Sequence, residues 1–392
     1  MHVEDYMNET PACLLAMLTQ TREDLWQAAK ALTERGVTRI ILTGSGTSYH
    51  GALTARSFMQ QWCGLPVDVY WPFLLDDSAL TLSDKALVIG ISQGGGSLST
   101  LAAMERARAA GHLTASMAGE APAVIDRAAD LVLTVPCGEE RAGAKTKGYH
   151  CTILNLMLLG LAVASRQRRL SDEERKALLV RMDTTFNHLP TLIEASQAWV
   201  LNHARPLIDS ADIRLTGPAR LFGTVQEGAL KMLETLRCPV AGYEFEEFIH
   251  GIYNAFDERS TLIMLDPFPD ERQDRLAEIL GGWTQHIYRI GPQVENNGKN
   301  MPFAFINDPD FAVFEYIIPL QMVCARLPPV KGIDPAIPKD PHFHQKMKSK
   351  QLNELTHSKS YPRFSGGPVT SQGDQYVYSS SKRTYYYSRY FI

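Results

Sequence analysis

Short unbroken apolar runs alternate along this chain with longer stretches of helical spacing. Ile40-Ile41-Leu42-Thr43 leads into Gly44-Ser45-Gly46-Thr47-Ser48 and then a helical stretch from Gly51-Ala52-Leu53. Ile213-Arg214-Leu215-Thr216 leads into Gly217-Pro218-Ala219 and then Gly228-Ala229-Leu230. Each is an apolar strand, a Gly-containing turn and a helix. In each, a second apolar run follows about 45 residues on, Ala86–Ile91 and Thr261–Leu265. Strand–turn–helix units at matched spacing predict two parallel α/β layers made by duplication. In such sheets, ligands sit at the carboxyl ends of the strands, against helix N-termini.

The same patterning divides the chain. Residues 1–36 form a helical segment, with Ala12, Leu14, Leu15, Met17 and Leu18 and then Leu25, Ala28 and Leu32 at helical spacing. Residues 37–168 form the first α/β domain, with strands near 38–43, 67–71, 86–91 and 130–135 and helices near 47–62, 96–110, 122–128 and 147–165. Ile153 to Leu161 is apolar all round except at Asn155, which predicts a buried helix. Residues 169–205, opening on Ser171-Asp172-Glu173-Glu174-Arg175, form a charged helical connector. Residues 206–350 form the second α/β domain with a C-terminal loop, and Phe314 to Val323 reads as its last, largely buried helix. From 351 to 392 the composition turns to Ser, Tyr, Gly and Lys without a periodic apolar face, which predicts a disordered tail. The fold class is therefore α/β: two tandem doubly wound parallel sheets in three layers, with a helical N-terminus and an irregular C-terminal tail.

Bulk properties narrow the partners. A chain of 392 residues that is 45 % hydrophobic can bury a large core. A formal charge of -4 argues against a nucleic-acid surface. No run of 18 apolar residues predicts a membrane span, and the acidic Met1-His2-Val3-Glu4-Asp5 lacks a signal peptide's apolar core. The six cysteines, at 13, 63, 137, 151, 238 and 324, have no close spacing that suggests a metal clip or a disulfide framework. They read as reduced thiols of a cytoplasmic protein. The expected partners are a small molecule and a second copy of the chain.

The candidate chemistry lies at the turns. Gly44-Ser45-Gly46-Thr47-Ser48 and Ile91-Ser92-Gln93-Gly94-Gly95-Gly96-Ser97 each follow a strand and precede a helix. Glycines admit a ligand close to the backbone, and hydroxyls with helix N–H groups can hold a phosphate without Lys or Arg. As plain helix caps the same turns would be unremarkable. Arg141-Ala142-Gly143-Ala144-Lys145-Thr146-Lys147 could line a sugar with its backbone, or simply start a solvated helix. In the second unit, Glu227, Lys231 and Glu234 share one helical face among apolar neighbours, which makes a carboxylate there a candidate base. His250 lies sixteen residues after Glu234, in Glu246-Glu247-Phe248-Ile249-His250-Gly251.

In this order and spacing, strand-Gly-Ser-Gly-Thr-Ser-Tyr, strand-Ser-Gln-x-Gly-x-Ser, Glu-Gly-Ala-Leu-Lys-x-x-Glu and the later His resemble the sugar isomerase (SIS) superfamily over roughly residues 10–350. The chain looks most like the isomerase half of glucosamine-6-phosphate synthase and the stand-alone fructosamine-6-phosphate deglycases. The resemblance implies that Gly46, Thr47, Ser48, Ser92, Gln93, Gly94 and Ser97 form the phosphate site. It implies that Glu234 moves a proton between C1 and C2. His250 opens the sugar ring, often from a neighbouring subunit, and Lys231 belongs to the sugar site. Gly143 and Ala144 match backbone contacts to the sugar, and Lys348 approximately matches a lysine of the synthase's C-terminal loop. Two positions depart from the synthase: Gly94 replaces a serine, and Lys145 replaces a small hydroxyl residue. With Met1 and His2 at the start and no N-terminal Cys nucleophile, ammonia production from glutamine is not expected.

These features imply a cytoplasmic deglycase that splits a phosphorylated Amadori compound, such as fructoselysine or glucoselysine 6-phosphate, by acid–base chemistry needing neither metal nor cofactor. The alternatives are an amino-sugar phosphate isomerase or deaminase and, in another class, a non-enzymatic sugar-phosphate sensor. A homodimer or higher homo-oligomer with sites near the interface is expected, with no nucleic acid or membrane as partner.

Overall fold

The computed structural model describes residues 2–80, 84–119 and 121–351. The expected tail, apart from Gln351, lies outside them. Ten strands form two parallel sheets among these residues: β1 (Arg39–Gly44), β2 (Val67–Tyr70), β3 (Ala86–Ile91), β4 (Leu113–Ala118) and β5 (Leu131–Thr134), then β6 (Asp212–Gly217), β7 (Val240–Glu244), β8 (Ser260–Leu265), β9 (Ile287–Gly291) and β10 (Met301–Pro302). The first sheet is ordered β2-β1-β3-β4-β5 and the second, read from its other edge, β7-β6-β8-β9-β10. The two orders are one permutation used twice, which is the duplication seen in the apolar pattern.

The core strands are covered on both faces, and every residue of β3 and β8 is buried. Parallel strands flanked by helices need such continuous apolar runs. One apolar core joins Ile40, Leu42 and Ile89 of the first sheet to Ile213, Leu215 and Ile263 of the second. It runs through Ala52 and Ala55 (helix Thr47–Cys63), Ile153 and Leu156 (helix Lys147–Arg166), Val225 and Met232 (helix Phe222–Leu236) and Ile317 and Leu320 (helix Val313–Arg326).

Helices Thr47–Cys63 and Phe222–Leu236 approach closely enough to require a glycine. A Cβ on Gly223 would stand 2.7 Å from the backbone nitrogen of Thr54. The Lys147–Arg166 helix is long and apolar enough to cross a membrane, but 89 % of its apolar window is buried inside the fold. Its apolar surface is consumed by protein contacts.

The N-terminal helices span Val3–Thr19 and Glu23–Glu34. The charged connector is a single helix, Asp172–Ile208, which continues through Pro190 and Pro206. It starts on a reciprocal cap: the Ser171 hydroxyl accepts from the Glu174 N–H (3.2 Å), and Glu174 accepts from the Ser171 N–H (2.9 Å). All six cysteines are free, yet Cys13 and Cys151, far apart in sequence, meet with sulfurs 3.5 Å apart.

Candidate functional site

Both phosphate-type turns leave the same edge of the first sheet because β1 and β3 are neighbours, with Gly44 paired to Ile91. The chain steps from β1 outward to β2 and then returns to β3 on the other side, so this pair is the point where the strand order reverses. Gly46, at φ +57, turns the chain into the Thr47–Cys63 helix. Gly94 is exposed, with open space around its Cα. The hydroxyls of Ser48 and Ser92 have no hydrogen-bond partner among the described residues, which leaves them as donors to an anion. The Ser97 hydroxyl accepts from the Thr100 N–H at 3.4 Å as the cap of helix Leu98–Ala109.

Two residues expected in the phosphate site point elsewhere. The Thr47 hydroxyl donates to Glu227 Oε1 at 2.9 Å, so its proton is committed to a protein carboxylate rather than to a bound phosphate. The Gln93 amide turns into the interior, donating to Cys137 Sγ (2.9 Å) and accepting from Thr152 (3.3 Å). The physical reason is the same in each case: a buried polar group nearby needs a partner more than the solvent-facing turn does.

The second sheet has its own reversal point between β6 and β8, built differently. Pro218 has no N–H to offer, and the Arg220 guanidinium stacks on Phe268 with its carbon 3.7 Å from the ring centre. The unit's chemistry lies on helix Phe222–Leu236. Glu227 is fully buried and accepts from Thr47 and His50, whose Nδ1 is 2.8 Å away. Lys231 lies one turn on, 4.0 Å from Glu227 and 2.6 Å from Glu234. Burial works against the Lys231 ammonium, but the two carboxylates outweigh it and hold its pKa above the usual 10.5. Glu234 is 39 % exposed while its partner Lys231 is buried.

The C-terminal segment closes over the first unit. The Leu98 N–H donates to the Ser349 carbonyl (3.2 Å) and the Gln351 N–H to Gly96 (2.9 Å), so residue 350 runs antiparallel beside Ser97. Two glycines make room for it. A Cβ on Gly96 would lie 2.2 Å from the Gln351 carbonyl oxygen, and one on Gly143 would lie 3.0 Å from that of Ala336.

The Gly143 N–H is accordingly spent on Ala336 at 2.7 Å rather than held free for a sugar, and Ala144 is buried. This strap brings Lys350, not the expected Lys348, into the electrostatic reach of Lys231, Glu234 and Lys145. Lys348 is exposed at φ +50 and its side chain makes no contact with that group among the described residues. In the loop before helix Lys147–Arg166, Glu140 caps the helix through the N–H groups of Thr146 (2.7 Å) and Gly148 (2.8 Å), while Lys145 donates to the Glu140 carbonyl.

His250 stands apart. It is exposed, its Nδ1 bonds to the Glu246 carbonyl at 2.6 Å, and nothing joins it to Glu234 among the described residues. The buried Glu227–His50 pair and the nearness of Lys350 to Glu234 were not read from the sequence. The Glu227–Lys231–Glu234 spacing was the available signal for the first.

Comparison with known proteins gives this arrangement a family. The SIS domain profile matches residues 31–162. A Salmonella typhimurium LT2 structure provisionally described as a sugar binding protein is 77 % identical, covering 83 % of this chain and 99 % of its own, with a TM-score of 0.80. A Clostridium difficile 630 structure provisionally described as a phosphosugar isomerase is 40 % identical, covering 90 % and 100 %, with a TM-score of 0.82.

The chain belongs to the SIS family.

It is homologous to the isomerase domain of the glutamine–fructose-6-phosphate aminotransferases. The enzyme of that name from Bradyrhizobium diazoefficiens is 26 % identical over 317 residues, 76 % of this chain and 50 % of its own length. The chain spans about half the length of the curated relatives it matches.

Proposed function

We propose that the protein is a sugar-phosphate deglycase, acting on an Amadori-type 6-phosphate in which an amine is carried on the sugar. The reading rests on one observation. The Lys231–Glu234 pair, 2.6 Å apart, is tied through Glu227 to the helix that begins at the anion turn. That arrangement gives a base and an anchored anion to one substrate.

Ser48, Ser92 and Ser97, with the N–H groups of their turns, hold the phosphate. Glu234 removes a proton from the carbon bearing the amine, and the electron pair moves to give an enaminol. The adjacent carbon then takes up a proton, leaving an imine that water hydrolyses to free amine and hexose 6-phosphate. Lys231 holds the Glu234 carboxyl in place through their 2.6 Å contact. His250 of a second copy assists ring opening, in a homodimer with its sites at the interface. Each positioned acid–base step supplies about 10²–10⁴ in rate. Thr47 and Gln93 shape the turns from behind rather than touching phosphate.

The relatives' names favour a second reading, an amino-sugar phosphate isomerase or deaminase on the same site. Glucosamine 6-phosphate and a fructosamine 6-phosphate, each offered to the wild-type protein and to Glu234→Gln, separate the two. The deglycase reading expects release of hexose 6-phosphate from the fructosamine compound alone, lost in the variant while binding persists. Turnover of glucosamine 6-phosphate alone would support the isomerase or deaminase instead.

A further inference from the structure

Three cysteines meet inside the first unit, although no two of them are neighbours in sequence. Cys13 on helix Val3–Thr19 and Cys151 on helix Lys147–Arg166 have their sulfurs 3.5 Å apart. Cys137, in the segment that follows β5, is the third and touches Cys151 from the other side. No step of the proposed reaction uses a thiol, and the cluster is independent of it.

The two helices hold the first pair in register. One turn before Cys13 and Cys151, the same helices are joined by the Glu9–Lys147 ion pair at 2.6 Å. The Lys147 ammonium also stands 5.2 Å from the centre of the Tyr6 ring, about one turn further back on the first helix. At 3.5 Å the sulfurs are in contact, with no atom between them to displace.

The pair is unequal. Cys13 is half-buried and open to solvent on one side, whereas Cys151 is fully buried. The hydrogen bond with Cys151 holds the Cys13 thiol below its usual 9.0 against burial, and the Lys147 ammonium lowers it further, opposed by Glu9. The contacts with Cys13 and Cys137, and then burial, hold Cys151 well above that value. Cys13 is therefore the member that carries thiolate, the form that attacks peroxide.

The other thiols are less suited. Cys137 is buried and held between the Gln93 amide at 2.9 Å and the Gly138 carbonyl at 3.4 Å. Away from the cluster, burial pushes up the thiols of Cys63, Cys238 and Cys324.

We propose that Cys13 is a site of oxidation by small hydroperoxides, and that Cys151 resolves the product as a reversible disulfide between helices Val3–Thr19 and Lys147–Arg166. The Cys13 thiolate attacks the distal oxygen of the hydroperoxide and the O–O bond breaks. Sulfur becomes a sulfenic acid, and the other oxygen leaves as an alcohol, or as water from hydrogen peroxide. Cys151 then gives up its proton and bonds to the Cys13 sulfur, while the S–O bond breaks and the hydroxyl departs as water. The two electrons lost by the thiol pair are those gained by the peroxide. The new bond closes the chain over 138 residues, and a dithiol reopens it by exchange.

The test treats the reduced, full chain with hydrogen peroxide, blocks free thiols with N-ethylmaleimide and maps peptides without reduction. The wild-type chain should yield a linked Cys13–Cys151 peptide that dithiothreitol removes. Cys13→Ser should slow internal disulfide formation about tenfold or more. Cys151→Ala should leave Cys13 as a sulfenic acid that dimedone traps. Mapping of the wild-type chain decides the matter even where a substitution at the buried Cys151 unfolds the protein. Absence of the linked peptide overturns the proposal, whether Cys13 stays reduced, stops at an acid or joins another cysteine. Internal disulfide formation at an unchanged rate in Cys13→Ser overturns it as well.

Discussion

The Thr47 hydroxyl donates a 2.9 Å hydrogen bond to Glu227 Oε1, across 180 residues of sequence and between the two sheet systems. The first residue of the anion-turn helix is thereby fastened to the helix that carries Lys231 and Glu234. The carboxylate is fully buried and also takes His50, so its position is determined on both oxygens. Truncating a partner of such a group leaves the other unsatisfied, at about 1–3 kcal/mol. Glu227→Gln and Thr47→Ala, alone and together in denaturant unfolding, should therefore show a coupling energy of about 0.5–3 kcal/mol. Strict additivity would mean that the bond does not link the halves.

Gly96→Ala probes the strap. The new Cβ would meet the Gln351 carbonyl oxygen at 2.2 Å, a backbone atom with no rotamer to escape into, so the strap itself has to move. The end of the strap should lift and carry Lys350 away while the core, to which the strap contributes only Ala336, keeps its stability. Faster proteolytic cleavage within 331–351 with loss of substrate affinity and an unchanged melting temperature is the expected result. Normal affinity and unchanged protease resistance would show that the strap tolerates the methyl.

The depressed pKa of Lys145 makes stability depend on pH with a definite sign. Between its folded value and the usual 10.5, the unfolded chain binds the proton more readily, so stability rises with pH across that window. Lys145→Met removes this term. Its melting temperature should exceed the wild-type value at pH 7, and the advantage should shrink as pH rises toward 10.5. An advantage that grows with pH would show that the ammonium is favourably paired.

The cysteines should label in a defined order in the native protein. Burial pushes Cys63 and Cys324 each up to about 12, so both should resist alkylation near neutral pH. Cys13 is only half-buried, and the hydrogen bond from Cys151 holds its thiol below the usual 9.0. Peptide mapping after brief iodoacetamide treatment should find Cys13 modified first. Early modification of Cys63 or Cys324 would contradict this order.

The duplication was legible because an unbroken apolar run followed by a glycine turn is a strong local signal, and it occurs in both halves. The adjacency of the two anion turns followed from it once β1 and β3 were recognised as strands. β4, Leu-Thr-Ala-Ser-Met-Ala, was missed because its small residues pack beneath neighbouring elements without a strong β signal of their own. β7, the five residues directly after Pro239, was missed too, and without it the order β7-β6-β8 could not be drawn.

At the site, Glu227, Lys231 and Glu234 could be placed on one face because helical spacing is local. The directions of the Thr47 hydroxyl and the Gln93 amide could not, since each is set by a buried partner distant in sequence. The pairing of residue 350 with Ser97, which brings Lys350 rather than Lys348 against the first unit, could not be read either, because it is a tertiary register with no local trace.

The central claim is that Glu234 moves a proton at the carbon bearing the amine of a phosphate-anchored sugar. The most direct measurement is turnover of a fructosamine 6-phosphate in D₂O, with the recovered hexose 6-phosphate examined by NMR. The account predicts solvent deuterium at C2, where the enaminol takes its proton, and loss of both turnover and label in Glu234→Gln. Wild-type turnover without deuterium at C2, or labelling that persists in Glu234→Gln, would contradict it.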